Sequence, residues 1–449
     1  MAGHGTKQWT SRFGFLMASI GFAVGLGNIW RFPYVTGENG GGAFVLVYLL
    51  CAFGIGVPIL MAEIMIGRRG RLSPPGSMSA VAAAEGRSPR WRMVGGMNLL
   101  AAFLIEVVYC VIAGWVLFYL FKAVVTGFVG VDATAADEAF KGLKADTGTM
   151  LFWTLLGLGI TGGIIYAGVE KGIERAVRIL MPTLFGLLVL LAVYNVFAGG
   201  FVMALDYLLS ADFSKVNAGV VLAAVGQAFF SIGVAMAGMM TFGAYLPKEV
   251  PIGRSVVIII FADTLVALTA GLVIFPAVFN YGLDPAGGSG LIFQTLPVAF
   301  AQMPGGHLVS VLFFVLLSVA AITSMVGLIE PLTAWLEEHR GLERHNSTLL
   351  VVGSVGVLSV LSILSYNALG DLRIAGKDLN DALDYLSNQV LLPLGGFLIA
   401  LFVGWFVSKA SANDELAIGS ARAFEVWHIL IRYVVPPAVL LILVFGLLD

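Results

Sequence analysis

Charged residues are scarce in this sequence. Of its 449 residues, 12% are charged and 59% are hydrophobic, whereas soluble domains carry about 25% charged residues. No stretch is polar enough to form a soluble domain, so we expect one membrane-embedded domain over residues 1–449. The net charge of −2 argues against a nucleic-acid partner, because proteins that bind nucleic acid present basic surfaces.

Cysteine and histidine are also rare. Cys51 and Cys110 both lie inside apolar runs, where they are more consistent with buried apolar residues than with a disulfide. The five histidines are scattered at segment ends or in loops, without a cluster that would serve catalysis or bind a metal. The sequence therefore predicts no catalytic residues and no enzyme. The short polar N-terminus has no small-residue cleavage site, so we expect no removable signal peptide.

Long apolar runs, by contrast, are abundant. A helix needs roughly 20 apolar residues to cross a bilayer, and eleven runs of about that length are separated by polar segments. Because lipid offers the backbone no hydrogen-bond partners, each run is predicted to be helical. The predicted spans are 12–36, 43–68, 92–126, 149–168, 175–197, 218–246, 254–281, 307–338, 347–365, 380–408 and 425–447.

Basic residues crowd alternate loops between these spans. Six arginines lie between the second and third spans, and Lys171, Arg175 and Arg178 lie between the fourth and fifth. Loops rich in Lys and Arg face the cytoplasm. We therefore expect a multi-pass protein of the cell (inner) membrane, with a cytoplasmic N-terminus and an extracytoplasmic C-terminus.

Two spans contain glycine-rich runs near their midpoints, at 19–28 in the first span and at 231–238 in the sixth. Glycine in a membrane helix often serves close packing alone. Interruptions at matching places in two halves predict instead inverted repeats, approximately 12–197 and 218–408, with an extra helix at 425–447. Unwinding frees peptide groups that lipid cannot satisfy, so such breaks persist where ions and substrate complete the bonding.

The run GLGNIWRFPY at 25–34, followed by ENGGGAF at 38–44, resembles the first-helix signature of the neurotransmitter:sodium symporters. Further matches are GQAFFS at 226–231, AAITS at 320–324, and a tyrosine six residues before Trp115. The resemblance covers nearly the whole chain. It implies an all-α membrane protein of 11 transmembrane helices with the 5+5 inverted repeat of the bacterial leucine transporter, in which helices 1 and 6 are unwound.

The resemblance also implies two Na+ sites. Their ligands are all oxygens, which hard cations favour. For the two hydroxyl residues of the second site, hydrogen bonding back to their own helix is the alternative. The implied ligands are Ala23, Asn28, Ser231 and Asp263 in the first site, and Gly21, Val24, Ala320, Thr323 and Ser324 in the second.

For the substrate, the resemblance implies an amino acid. Monoamine carriers of the family have an aspartate where this chain has Gly25, so the substrate is expected to bring its own carboxylate. The implied pocket is apolar, which favours branched-chain and aromatic L-amino acids, although the bulk of Phe22 is expected to reshape it. The implied substrate-binding residues are Ala23, Leu26, Gly27, Ile105, Tyr109, Phe230, Ser231, Gly233, Met236, Ser324 and Leu328.

Asp263 lies in an apolar run, where a carboxylate is a functional candidate by default. Eukaryotic members bind chloride nearby, and we hypothesise that Asp263 supplies that negative charge itself, so that no chloride is required. Tyr48, Gln227 and Ser231 match the chloride site of the family, so a vestigial anion site stays open. A further alternative is an aspartate that bonds neighbouring polar groups without touching an ion.

The resemblance implies gates at both ends of the bundle. Arg31 and Asp384 match an extracellular charged pair. Tyr245 and Glu338 match inner-gate positions, where Lys7 stands in for an arginine of the family. In addition, the Gly- and Pro-rich segment 282–306 predicts an extracellular loop with a short helix that acts as a lid, or a plain connector. Gly172 and Pro182 predict either a helix that unwinds or a static kink.

Together these observations predict a sodium-coupled symporter that imports small L-amino acids by alternating access. Its expected partners are the amino acid, sodium ions and the lipid bilayer, and we expect a monomer or weak dimer. A non-transporting amino-acid sensor or a channel with the same fold is the alternative.

Overall fold

In the computed structural model, which describes residues 8–285 and 290–448, the chain is almost entirely helical. Each predicted span coincides with a helix or with a broken pair of helices. This confirms the prediction of an all-α membrane protein. The membrane helices are α1 (Arg12–Ala23 and Gly27–Glu38), α2 (Gly42–Gly70), α3 (Pro89–Val125), α4 (Thr147–Tyr166), α5 (Val169–Ala198), α6 (Ala218–Ile232 and Gly238–Ala244), α7 (Ile252–Asn280), α8 (Gly306–Arg340), α9 (Arg344–Ser365), α10 (Leu379–Phe406) and α11 (Ala421–Leu447).

Helices α1 and α6 are interrupted, as their glycine-rich runs predict. The two halves of α1 meet at residues 24–26 with a bend of 47°. In α6 the helix stops at Ile232 and resumes at Gly238. Both breaks are buried in the protein, and irregular backbone is tolerated at membrane depth only in such places.

The long helices α3 and α8 form the centre of the bundle and pack against each other. Their most apolar segments are 72% and 83% buried, respectively, whereas those of α4 and α5 are 39% and 28% buried. The latter two helices therefore present most of their apolar surface to the lipid. Both broken helices pack against this centre, α1 directly on α8.

A short helix, residues 291–302, lies in the connection between α7 and α8. This agrees with the short helix that the sequence predicts in the loop 282–306, of which residues 286–289 lie outside the described part. The ring of Phe293 packs against Trp30 and Trp115, with ring centroids 5.9 Å and 5.8 Å away. The Tyr119 hydroxyl donates to the Phe293 carbonyl at 3.0 Å. The connection is thus fastened to α1 and α3.

The outer end of the bundle carries Arg31 and Asp384, and the inner end carries Trp9, Tyr245 and Glu338. A short helix, Pro74–Ala84, lies at the inner end between α2 and α3.

Candidate ion and substrate site

At the break in α1, the peptide groups freed by unwinding are bonded to side chains of α1, α3 and α6. The Leu26 amide donates to the Tyr109 hydroxyl at 3.1 Å, and the Gly25 amide donates to Asn28 Oδ1 at 3.1 Å. The Gln227 amide group donates to the Gly27 carbonyl at 2.9 Å. Each of these side chains is neutral, so an incoming ligand with charged groups can compete for the same backbone atoms.

Glycine is required at two positions of this break because neighbouring side chains approach the backbone closely. A Cβ on Gly25 would lie 2.3 Å from Ser324 Oγ and 3.0 Å from the Tyr109 hydroxyl. A Cβ on Gly27 would lie 3.0 Å from the Phe230 ring. The glycines therefore allow α3, α6 and α8 to converge on the break.

The break in α6 has a different backbone. Gly233, Ala235 and Ala237 all have left-handed conformations, with φ of 72°, 61° and 64°, which cost a non-glycine residue roughly 1–2 kcal/mol. The Ala235 amide donates to Glu63 Oε1 at 2.6 Å. Glu63, on α2, is fully buried, so a carboxyl group in the membrane interior stabilises this turn.

The structure brings the first predicted ion site together around Asp263. Asn28 Nδ2 donates to Asp263 Oδ1 at 2.7 Å and to Ser231 Oγ at 2.9 Å. The Ser231 and Tyr48 hydroxyls donate to Asp263 Oδ2 at 2.9 Å and 3.3 Å. All four side chains are fully or almost fully buried. Residues of α1, α2, α6 and α7 thus place a carboxylate, an amide and two hydroxyls within one cluster.

This donor set fits a sodium ion. Na+ is a hard cation without a preference for nitrogen or sulfur ligands, and amide, hydroxyl and carboxylate oxygens suit it. Among the residues that the structure describes, no three His, Cys, Asp or Glu side chains converge as a transition-metal site would require. Ala23, predicted to contribute its carbonyl, is buried at the break beside Asn28.

The residues of the second predicted ion site meet where α1 touches α8. A Cβ on Gly21 would lie 3.2 Å from Thr323 Cβ. The Ser324 hydroxyl donates across to the Phe22 carbonyl at 3.2 Å. The Thr323 hydroxyl donates to carbonyls of its own helix, 2.9 Å from Val319 and 3.1 Å from Ala320. Thr323 therefore shows the back-bonded alternative, whereas Ser324 joins the two helices.

The predicted substrate pocket is closely packed at its inner side by Phe22. A Cβ on Gly327 would lie 2.1 Å from this ring, and one on Gly233 would lie 2.8 Å from it. The absence of side chains at Gly233, Gly238 and Gly327 thus leaves space for the Phe22 ring. The remaining predicted pocket residues are buried except Phe230, which is half-buried: Ile105, Tyr109, Phe230, Met236 and Leu328.

At the outer end, a cavity of about 370 Å³ leads to Arg31 and Phe230. The Arg31 guanidinium lies 4.6 Å from the centroid of the Phe230 ring, a cation–π contact. Asp384 instead accepts a hydrogen bond from Asn388 at 2.6 Å. Between the described side chains of Arg31 and Asp384 no ion pair forms in this conformation, so their pairing as a gate stays a prediction.

At the inner end, aromatic side chains pack around Trp9. Trp9 is buried, and its backbone amide and indole N–H donate to the carbonyls of Tyr245 and Phe242 at 3.1 Å and 3.0 Å. The Tyr245 hydroxyl donates to Glu330 at 2.8 Å, and Glu330 pairs with Arg344 at 2.6 Å.

The other predicted inner-gate residues have different partners. Glu338 accepts a hydrogen bond from the Ser73 amide at the start of the helix Pro74–Ala84, and Lys7 lies outside the described residues. The gate roles of Tyr245, Glu338 and Lys7 stay predictions.

Four buried acidic residues escaped the sequence reasoning: Glu63, Glu106, Glu174 and Glu330. The signal that singles out Asp263, a carboxylate within an apolar run, also applies to Glu63 and Glu106. Glu330 lies in α8 and Arg344 at the start of α9. Their pairing depends on the turn between these helices, which the sequence pattern leaves open.

The family model for the sodium:neurotransmitter symporter family matches residues 6–131 and 140–449. The chain belongs to this family. As a symporter of this family it is a sodium-dependent transporter and not an enzyme. A sodium-dependent transporter of Bacillus subtilis strain 168, YhdH, whose name marks it as uncharacterised, is 35% identical over 444 residues, covering 97% of this chain and 96% of that one.

More distant relatives include the sodium-dependent serotonin transporter of Drosophila melanogaster. It is 27% identical over 490 residues, covering 99% of this chain and 76% of that protein. Among solved structures, the symporter resembles MhsT in complex with L-phenylalanine, with a TM-score of 0.91 and 40% identity over 98% of this chain and 100% of that one. The symporter therefore has the inverted-repeat transporter fold expected from its sequence.

Proposed function

We propose that this symporter imports hydrophobic L-amino acids by alternating access. The substrate class is the branched-chain and aromatic amino acids, and their transport is coupled to two Na+ ions. The observation that carries the proposal is the break in α1. There the amides of Gly25 and Leu26 are bonded to Asn28 and Tyr109, beside the oxygen cluster around Asp263. An amino-acid carboxylate held at these amides neutralises a sodium ion at that cluster.

The chemistry of the pocket supports an amino acid over an amine. Gly25 places no carboxylate beside the break, and a side chain there would collide with Ser324 and Tyr109. A carboxylate at this position must then come from the substrate. The apolar pocket around Ile105 and Leu328 suits a hydrophobic side chain, and MhsT, a structural relative, was solved with L-phenylalanine.

We further propose that transport needs no chloride. Asp263 lies between Asn28, Ser231 and Tyr48, so it supplies a fixed negative charge where a chloride ion would otherwise balance sodium. Replacing chloride with gluconate is expected to leave uptake unchanged in the wild type. In the Asp263→Asn variant, uptake is expected to require chloride, and equal dependence in both proteins would contradict the proposal.

The two ends of the bundle support alternating access. The outer cavity reaches Phe230, while aromatic side chains pack around Trp9 at the inner end. We propose that this conformation faces outward, with the N-terminus in the cytoplasm and the C-terminus outside. We also propose the two repeats 12–197 and 218–408 as the units that move, in a monomer or weak dimer.

A screen of the twenty amino acids in proteoliposomes tests the proposed function. Uptake of hydrophobic amino acids is expected with an inward Na+ gradient and not with K+ in its place. Saturable binding without uptake would favour the sensor alternative, and uptake that does not saturate would favour a channel. The absence of sodium-dependent binding for every amino acid would contradict the proposal.

A further inference from the structure

Glu106 is a buried acidic residue to which neither the ion sites nor the gates assign a role. It lies near the middle of α3, with no solvent-exposed surface. Neither carboxyl oxygen has a hydrogen-bond partner among the residues that the structure describes. By comparison, three side chains donate to Asp263, and Glu63 accepts from Ala235.

An unpartnered carboxyl group is costly in this environment. A buried polar group is normally hydrogen-bonded, and a carboxyl group inside a membrane protein is expected to face a partner or a functional cavity. The nearest helical neighbours of Glu106 toward the N-terminus, Ala102 and Phe103, offer no side-chain donor. The carboxyl group is therefore free to pair with a donor on a molecule that binds beside α3.

Glu106 borders the proposed substrate site. It directly follows Ile105 and precedes Tyr109 by three positions, which places its side chain next to that of Tyr109 on the helix surface. Glu106 is also close enough to the Tyr109 hydroxyl and to Cys110 for electrostatic interaction. The Tyr109 hydroxyl contacts the α1 break at Leu26. The surface of α3 that carries Glu106 therefore lies beside the proposed substrate site.

We propose that Glu106 determines substrate specificity by accepting a hydrogen bond from an N–H or O–H group on the side chain of the transported amino acid. This inference rests on the proposed function and narrows its substrate class. Tryptophan and tyrosine satisfy the carboxyl group, whereas phenylalanine and leucine leave it unpaired. A site built to bond a substrate donor rejects analogues that lack the donor, because its own polar group then stays buried without a partner.

Competition binding in Na+ tests this inference, with tryptophan, tyrosine, phenylalanine and leucine as ligands. The wild type is expected to bind tyrosine at least about tenfold more tightly than phenylalanine, since the two differ only by the hydroxyl. In Glu106→Leu this preference is expected to fall to about twofold or less, with phenylalanine binding retained. Glu106→Gln keeps an acceptor oxygen, so it is expected to keep part of the preference.

Val107→Ile is the matched control, because Val107 is a buried neighbour on the same helix without a polar group. Its tyrosine preference is expected to equal that of the wild type. A preference that survives in both Glu106 variants overturns the inference and leaves the proposed function intact. The inference is also overturned if Glu106→Gln changes the pH dependence of uptake but leaves the preference for tyrosine unchanged. Glu106 would then act by holding a proton. Absence of sodium-dependent binding in the wild type overturns both proposals.

Discussion

The breaks in α1 and α6 are stabilised in different ways. In α1, the amides of Gly25 and Leu26 are bonded to the neutral side chains of Asn28 and Tyr109, which also belong to the proposed ion and substrate sites. In α6, the turn has three left-handed residues, and the Ala235 amide is bonded to the fully buried Glu63, outside both proposed sites.

The contacts of the α1 amides with Asn28 and Tyr109 are exchangeable, whereas the contact of the Ala235 amide with Glu63 is fixed. A hydrogen bond to an ionised group is about twice as strong as one between neutral groups. A ligand carboxylate is therefore expected to displace the neutral partners Asn28 and Tyr109 at the α1 break, whereas the Ala235 amide already has a carboxyl partner. We therefore expect the α1 break to respond to ligand, and the α6 turn to act as a fixed frame.

The largest effect is expected from Glu63→Leu, which removes the acceptor for the Ala235 amide. A buried amide without a partner costs about 1–3 kcal/mol. We expect a lower melting temperature in detergent and loss of sodium-dependent uptake. Glu63→Gln is the matched control, because its amide oxygen can still accept. Equal melting temperatures for wild type and Glu63→Leu would refute a role for Glu63 in holding the α6 turn.

A smaller effect is expected from Tyr109→Phe, which removes the hydroxyl at the α1 break. One hydrogen bond to a charged ligand contributes about 1.5–3 kcal/mol, so the Kd for the amino acid should rise by roughly tenfold to a hundredfold. The melting temperature without ligand should also fall, because the buried Leu26 amide loses its partner. Isothermal titration calorimetry in Na+ measures the Kd, and thermal melting without ligand measures the stability. An unchanged Kd would show that the hydroxyl does not contact the substrate.

A still smaller effect is expected from removing either of the two hydroxyls of the proposed second ion site. Ser324 bonds across to the Phe22 carbonyl, whereas Thr323 bonds to its own helix. Ser324→Ala is therefore expected to weaken both the α1–α8 contact and the sodium response, by severalfold in the Na+ concentration for half-maximal uptake. Thr323→Ala is expected to affect the sodium response alone, leaving the melting temperature without sodium unchanged. Identical melting temperatures for the two variants would contradict this distinction.

The smallest effect is expected from Ala235→Gly, which relieves a left-handed alanine at φ 61°. Glycine avoids a cost of roughly 1–2 kcal/mol there but loses more chain entropy on folding, so the net gain is about 1 kcal/mol or less. Ala113→Gly in the regular part of α3 is the control and is expected to destabilise by about 0.5–1 kcal/mol. Thermal melting in detergent checks the opposite signs of the two changes.

The membrane spans and both breaks were predictable from the sequence because they depend on local properties. Hydropathy identified the spans, because a helix must be long and apolar enough to cross the lipid, and nine unbroken helices of the described residues meet that criterion. The glycine runs at 19–28 and 231–238 located the breaks, since the close approach at Gly25 leaves no room for a Cβ. The short helix between α7 and α8 was also predictable, because glycine and proline residues flank its apolar stretch.

Side-chain partners were less predictable because they depend on packing between distant parts of the chain. The distribution of hydrophobic residues cannot reveal that Thr323 bonds its own helix while Ser324 bonds α1. Nor does it show that Arg31 lies over Phe230. Glu63 and Glu106, like Asp263, are acidic residues within apolar runs. The rule that makes Asp263 a functional candidate therefore also selects Glu63 and Glu106.

Amide hydrogen exchange in Na+ or K+, with and without a bound amino acid, tests most directly whether the α1 break holds ligand. Sodium together with the amino acid is predicted to slow exchange at Gly25, Leu26 and Gly27 by at least about tenfold, because charged ligand groups replace neutral partners. Exchange at Ala235 is predicted to change little. Equal slowing at both breaks, or the same exchange in Na+ and K+, would contradict the account.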